Sequence, residues 1–116
     1  MSRYLLPMLA TLALAGTGQV HAETVPSSAA CGPDAVVQAR KLLAFHLGSD
    51  EPGMRVEETV KPLPSIVNPV DRKQRFDVLE VWGFFYKGEY RMRLEYYRSG
   101  AGCTLMGQEI LEMARL

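Results

Sequence analysis

Hydrophobic positions change their period along this chain, and the changes divide it into elements. Leu5 to Ala15 is an apolar run without period, preceded by one positive charge at Arg3 and followed by a polar stretch ending in Val20, His21 and Ala22. That order of charge, apolar run and small residues is an export signal. Its eleven residues are about half of the roughly 20 that a membrane-crossing helix needs. Residues 1–22 are therefore expected to be a cleaved signal peptide, leaving no transmembrane segment in the mature protein. Thr17, and not cysteine, follows Leu14, Ala15 and Gly16, so no lipid anchor is expected. Residues 23–30 show no period and read as a flexible lead-in, and 31–116 as a single α+β domain.

From Pro33 the apolar residues take helical spacing. Val36, Ala39, Leu43 and Leu47 form a stripe widened by Ala35, Leu42 and His46, while Gln38, Arg40 and Lys41 lie on the other side. Pro33 suits the first turn, Asp34 the positive end of the helix dipole, and Gly48 the end. This is an amphipathic helix that needs a partner surface.

Beyond a turn at Ser49 to Gly53 the period becomes two. Met54, Val56 and Val60 alternate with Arg55, Glu57, Thr59 and Lys61, as in a strand with one wet face. Pro62, Pro64 and Pro69 argue against regular pairing, so residues 62–74 read as a long connection. Two aromatic and β-branched runs follow, Arg75 to Tyr86 and Glu89 to Arg98, with Lys87 and Gly88 as a two-residue hairpin turn. That turn sets Leu79, Val81 and Phe85 against Tyr96, Leu94 and Tyr90 on one face, with Met92 beside Gly83. The other face carries Val78, Glu80, Trp82 and Phe84 against Tyr97, Glu95, Arg93 and Arg91. A second turn, Ser99 to Gly102, brings Cys103 and Leu105 to the apolar face beside Tyr96. After Cys103 a further strand with room for a bulge at Gly107 is expected, and residues 107–116 stay open between strand and a closing helical turn, because Leu111, Glu112 and Ala114 are good helix formers.

The expected fold is thus one N-terminal helix packed on a four-stranded antiparallel meander, α-β-β-β-β, an order shared with cystatin-like folds. That likeness is architectural and carries no activity.

Composition narrows the function. Without the signal the chain keeps 12 basic and 13 acidic residues, a net charge of about −1, which supports neither a nucleic-acid partner nor a general membrane-surface role. Cys31 and Cys103 are the only cysteines. An even count in an exported chain favours a disulfide. Closing so long a loop stabilises a fold by roughly 4 kcal/mol in the chain-entropy model.

Catalytic sets are not apparent. The mature serines, Ser27, Ser28, Ser49, Ser65 and Ser99, fall in tail or loops without a nucleophile-elbow pattern. His46, the single mature histidine, reads as a structural residue on the buried side of the helix, and with both cysteines committed no metal or cofactor is expected. Glu80 and Glu95, placed opposite each other, could do acid and base work if buried, but beside Arg91 and Arg93 they read better as a surface charge network. Trp82, Phe84, Arg91, Arg93 and Tyr97 on one wet face are the residue types that protein-recognition surfaces use. Against this, arginine stems or the 62–74 segment could cover the rings.

Cys31-Gly32-Pro33-Asp34 opening a helix, the aromatic hairpin Val81 to Tyr97, and Gly102-Cys103 leading to Gly107, Gln108, Glu109 and Ile110 resemble a family of small secreted proteobacterial proteins described as quorum-sensing-regulated virulence factors. The resemblance implies an exported, disulfide-bonded α+β protein without an assigned catalytic residue. The sequence therefore reads as a periplasmic or secreted non-enzymatic protein acting on an unidentified protein partner. One alternative is an inhibitor of an extracellular or periplasmic enzyme acting through Ser65 to Val67 in the proline-rich segment. Another is a small enzyme using Glu80 and Glu95.

Overall fold

Proline and aspartate in the first turn and glycine at the end set the limits of the helix, α1 (Gly32–Leu47). Cys31 precedes it, and Gly48, at φ 92°, closes it by donating its N–H to the carbonyls of Ala44 and Phe45. That left-handed closure is one glycine reaches without steric cost. The computed structural model describes residues 24–114, so the expected signal peptide lies outside the described residues. Five strands follow the helix: β1 (Arg55–Val56), β2 (Lys61–Val67), β3 (Arg75–Phe85), β4 (Gly88–Ser99) and β5 (Gly102–Met113).

The architecture is α+β, one helix on an antiparallel sheet, with five strands where four were expected. The difference lies in the segment before β3. The strand expected from Met54 to Val60 shrinks to Arg55 and Val56, opposite Phe84 and Gly83. The expected proline-rich connection is instead the seven-residue strand β2, paired with the first half of β3 from Lys61 opposite Glu80 to Val67 opposite Arg75. Proline cannot donate to a ladder but is tolerated at sheet edges and irregularities. Pro64 falls within the register shift between Leu63 and Ile66, where β3 makes no regular demand on it.

The lead-in is tied to this edge. Pro26 bridges Pro64, Ser27 N donates to the Leu63 carbonyl, and Ser65 N donates to the Val25 carbonyl. Val25 to Ser27 of the lead-in thus lie alongside β2.

The first hairpin turns one residue earlier than expected. Its loop is Tyr86 and Lys87, closed by Phe85 opposite Gly88. Moving a loop by one residue shifts the pairing by two, so each side chain keeps its face while its cross-strand neighbour changes. Glu80 consequently opposes Arg93, and Glu95 opposes Val78. The Glu80–Glu95 pair is not formed. Gly88 is needed for another reason: a Cβ there would stand 2.7 Å from Tyr90 Oη. The second hairpin pairs as read from the sequence, with Arg98 opposite Cys103 and Tyr96 opposite Leu105. Its ladder then shifts past Met106, so that Glu95 meets Gly107, and β5 continues as a strand to Met113 instead of ending in a helical turn.

The core lies between α1 and the inner face of the sheet. Ala35, Ala39, Leu42 and Leu43 of α1 are buried there against Leu79, Val81, Met92, Leu94, Tyr90 and Tyr96. Val36 and Leu47 are half-buried. His46, expected on the buried side, is exposed at the last turn, its ring edge-on to Tyr90 at 5.6 Å. Cys31 and Cys103 form the expected disulfide, with Cα atoms 5.9 Å apart, and pin the start of α1 to β5. A disulfide is consistent with an oxidising compartment.

Candidate functional site

Alternation along β3, β4 and β5 turns every second side chain away from the helix. On this outer face β3 presents Phe76, Val78, Glu80, Trp82 and Phe84, and β4 presents Glu89, Arg91, Arg93, Glu95 and Tyr97. Trp82, Phe84, Arg91, Arg93 and Tyr97, selected from the sequence, therefore share one face, and each is half-buried. The one helix among the described residues lies on the opposite side. The first part of the 62–74 segment is the strand β2 beside β3, and its Leu63, Pro64 and Ile66 line one hollow with Val78, Arg93, Glu95 and Glu109.

Glu80 is the centre of the face. Only 6% exposed, it accepts from Trp82 Nε1 at 3.1 Å through Oε1 and from Arg93 Nε at 3.0 Å through Oε2. Arg93 also reaches Glu109 Oε1 on β5, 3.8 Å from one terminal nitrogen. A buried carboxylate is stable only when its oxygens are so engaged. The charge network read from the sequence is present with different partners: Arg93 and Trp82 hold Glu80, and Glu95 lies over the backbone of Gly107, where a Cβ would come 2.5 Å from its Oε2.

Arg91 differs. It opposes Trp82 on one side and Leu111 on the other, and its Nε is buried without a hydrogen-bond partner. A guanidinium N–H withdrawn from water and left unpaired costs stability. Phe84, at the far end of the face, is covered by the Arg55 guanidinium, 4.8 Å from the ring centroid, a cation–π contact.

Sequence reasoning did not assign Arg55 or Leu111 to this face. Arg55 reaches it because β1 pairs with Phe84, and Leu111 because the β4–β5 register shift sets it opposite Arg91. The alternation of β5 was legible, but the shift that determines its pairing was not.

Among the described residues no group of three or more His, Cys, Asp or Glu side chains is placed to hold a metal ion, and no helix is long and apolar enough to cross a membrane. Of the serines, Ser65 is held in β2, where its hydroxyl donates to the Val25 carbonyl and accepts from Arg75 Nε. Comparison of the chain with protein-family models, with curated proteins and with solved structures finds no match in any of the three.

Proposed function

We propose that this is an exported, non-enzymatic protein that acts by binding another protein through the outer face of its sheet. One observation carries the reading: half-buried Arg91, Trp82, Phe84 and Tyr97 share with exposed Leu111 a face that no helix among the described residues covers. Arginine and aromatic residues supply the largest share of energy at protein interfaces. A partner that fits brings carbonyl or carboxylate oxygens to Arg91 and apolar groups to Trp82, Leu111 and Tyr97. The resemblance of the Cys31 to Asp34 opening and the aromatic hairpin to quorum-sensing-regulated virulence factors makes a virulence-associated role, in the periplasm or outside the cell, part of this proposal.

The test is capture of partners by the oxidised protein and measurement of the affinity of each. Trp82 and Arg93 are unsuitable as probes because both hold Glu80, so their removal disturbs the fold. Arg91→Ala and Tyr97→Ala are the informative variants, each expected to weaken binding at least tenfold, about 1.4 kcal/mol. Unchanged affinity in both, with the fold intact, would show that the partner is bound elsewhere.

A further inference from the structure

We infer that a second site, at the end of the sheet where the lead-in crosses β2, binds an oxyanion: the carboxylate or phosphoryl group of a small ligand. Val25, Pro26, Ser27, Ser28, Ser65, Arg75, Asp77 and Arg98 enclose one hollow there. It is independent of the outer face, because Asp77 and Arg98 belong to the inner-face alternation of β3 and β4. Arg75 and Arg98 lie two residues beyond Asp77 and Tyr96, the last pair of the β3–β4 ladder.

Two guanidiniums on neighbouring strands repel each other unless negative charge lies between them. Asp77 supplies one carboxylate, and both its oxygens are engaged: Oδ1 accepts from Ser28 N at 2.9 Å and Oδ2 from Arg98 Nε at 2.8 Å. Arg75 Nε donates to Ser65 Oγ, a neutral acceptor, at 3.1 Å. Among the described residues the terminal nitrogens of both arginines have no hydrogen-bond partner.

The hydroxyls follow the same pattern. Ser27 Oγ accepts from Val78 N at 2.7 Å and Ser28 Oγ accepts from Ala30 N at 3.1 Å. Each has used its oxygen as an acceptor and keeps its O–H to donate. The hollow therefore offers two guanidinium forks and two hydroxyl donors, while its one carboxylate is already satisfied. Excess donors and one uncompensated positive charge are the chemistry that recognises an oxyanion, and the guanidinium fork matches carboxylate and phosphate alike. The lead-in supplies both serines, so anion binding would also tighten its attachment to β2.

The test is an NMR titration of the oxidised protein with sodium phosphate and, separately, sodium acetate, at constant ionic strength against sodium chloride. Saturable amide shifts are expected at residues 25, 27, 28, 65, 75–77 and 98, with a Kd on the order of 1 mM for at least one of the two anions. Saturation by phosphate alone assigns a tetrahedral group, and saturation by acetate alone a carboxylate. Arg75→Gln, which gives up only the bond to Ser65, is expected to weaken the response at least tenfold. Shifts no larger than those in chloride, or an undiminished response in Arg75→Gln, would overturn the site.

Discussion

Arg93 donates through Nε to Glu80 Oε2 at 3.0 Å, across directly opposed positions of β3 and β4. The two ends of this bond differ in their access to water: the Glu80 side chain is 7% exposed and that of Arg93 is 35% exposed. Losing one partner costs most when the group left behind is a buried charge. Arg93→Ala leaves the Glu80 carboxylate with the Trp82 indole alone, and is expected to cost about 3 kcal/mol. Glu80→Ala leaves Arg93 with water and with Glu109 3.8 Å away and the half-buried Trp82 indole N–H without its acceptor, at about 1–2 kcal/mol. Urea denaturation of both variants checks the order, and a larger cost for Glu80→Ala would contradict this account of the face.

A second prediction concerns how closely the helix approaches the sheet. A Cβ on Gly83 would stand 2.8 Å from Leu43 Cδ2 and 2.9 Å from Met92 Cε, and both neighbours are fully buried. Gly83→Ala is expected to destabilise the fold by roughly 1–3 kcal/mol through overpacking. Shortening Leu43 to Val in the same chain should recover part of that loss. Strict additivity in the double-mutant cycle would mean that the two side chains do not meet.

The two hairpins make the third prediction. Each has a positive φ at the first of its two loop residues, Gly100 at 60° and Tyr86 at 56°. Glycine adopts this conformation freely, whereas another residue there costs roughly 1–2 kcal/mol. The Tyr86 ring is 91% exposed and meets Phe85 edge-on, so little packing is lost with it. Tyr86→Gly is expected to raise stability by about 0.5–1 kcal/mol, once the greater freedom of the unfolded chain is counted. A lowered thermal midpoint would mean that the contact with Phe85 outweighs the backbone strain.

That same loop explains which parts of the fold were legible in the sequence. Period-two alternation assigned Trp82, Phe84, Arg91, Arg93 and Tyr97 to one face because a pairing shift of two leaves faces unchanged. It could not assign neighbours, since Gly88 served as the turn signal although it is needed beneath the Tyr90 ring. The prolines of β2 argued for a connection because local sequence does not reveal that a strand lies at an edge, with Pro64 inside a register shift. His46 sits one position from half-buried Leu47 at the end of α1, where helical periodicity no longer separates a covered side from an open one. Arg55 and the anion hollow depend on β1, β2 and the lead-in meeting β3, contacts between segments distant in sequence that carry no local signal.

The last prediction is a stability change at high pH. Tyr96, 3% exposed on the inner face, has its phenol pushed up from 10.0 to about 12, first by burial and second by the Asp34 carboxylate at the start of α1. The neutral form is the one the fold favours. Below pH 10 both folded and unfolded chains hold this proton, and the full stability is present. Between pH 10 and about 12 the unfolded chain releases it while the folded chain keeps it, so the unfolded state binds fewer protons and stability falls as pH rises. Two pK units correspond to a loss of roughly 2–3 kcal/mol by the upper end of the window. Tyr90, also raised by burial and then by Glu112, acts in the same direction. Urea midpoints measured at pH 9 and at pH 11 should therefore separate more in the native sequence than in Tyr96→Phe, which cannot ionise there and keeps the slope from Tyr90. An equal separation in the two proteins would mean that the Tyr96 phenol is not held neutral by its surroundings.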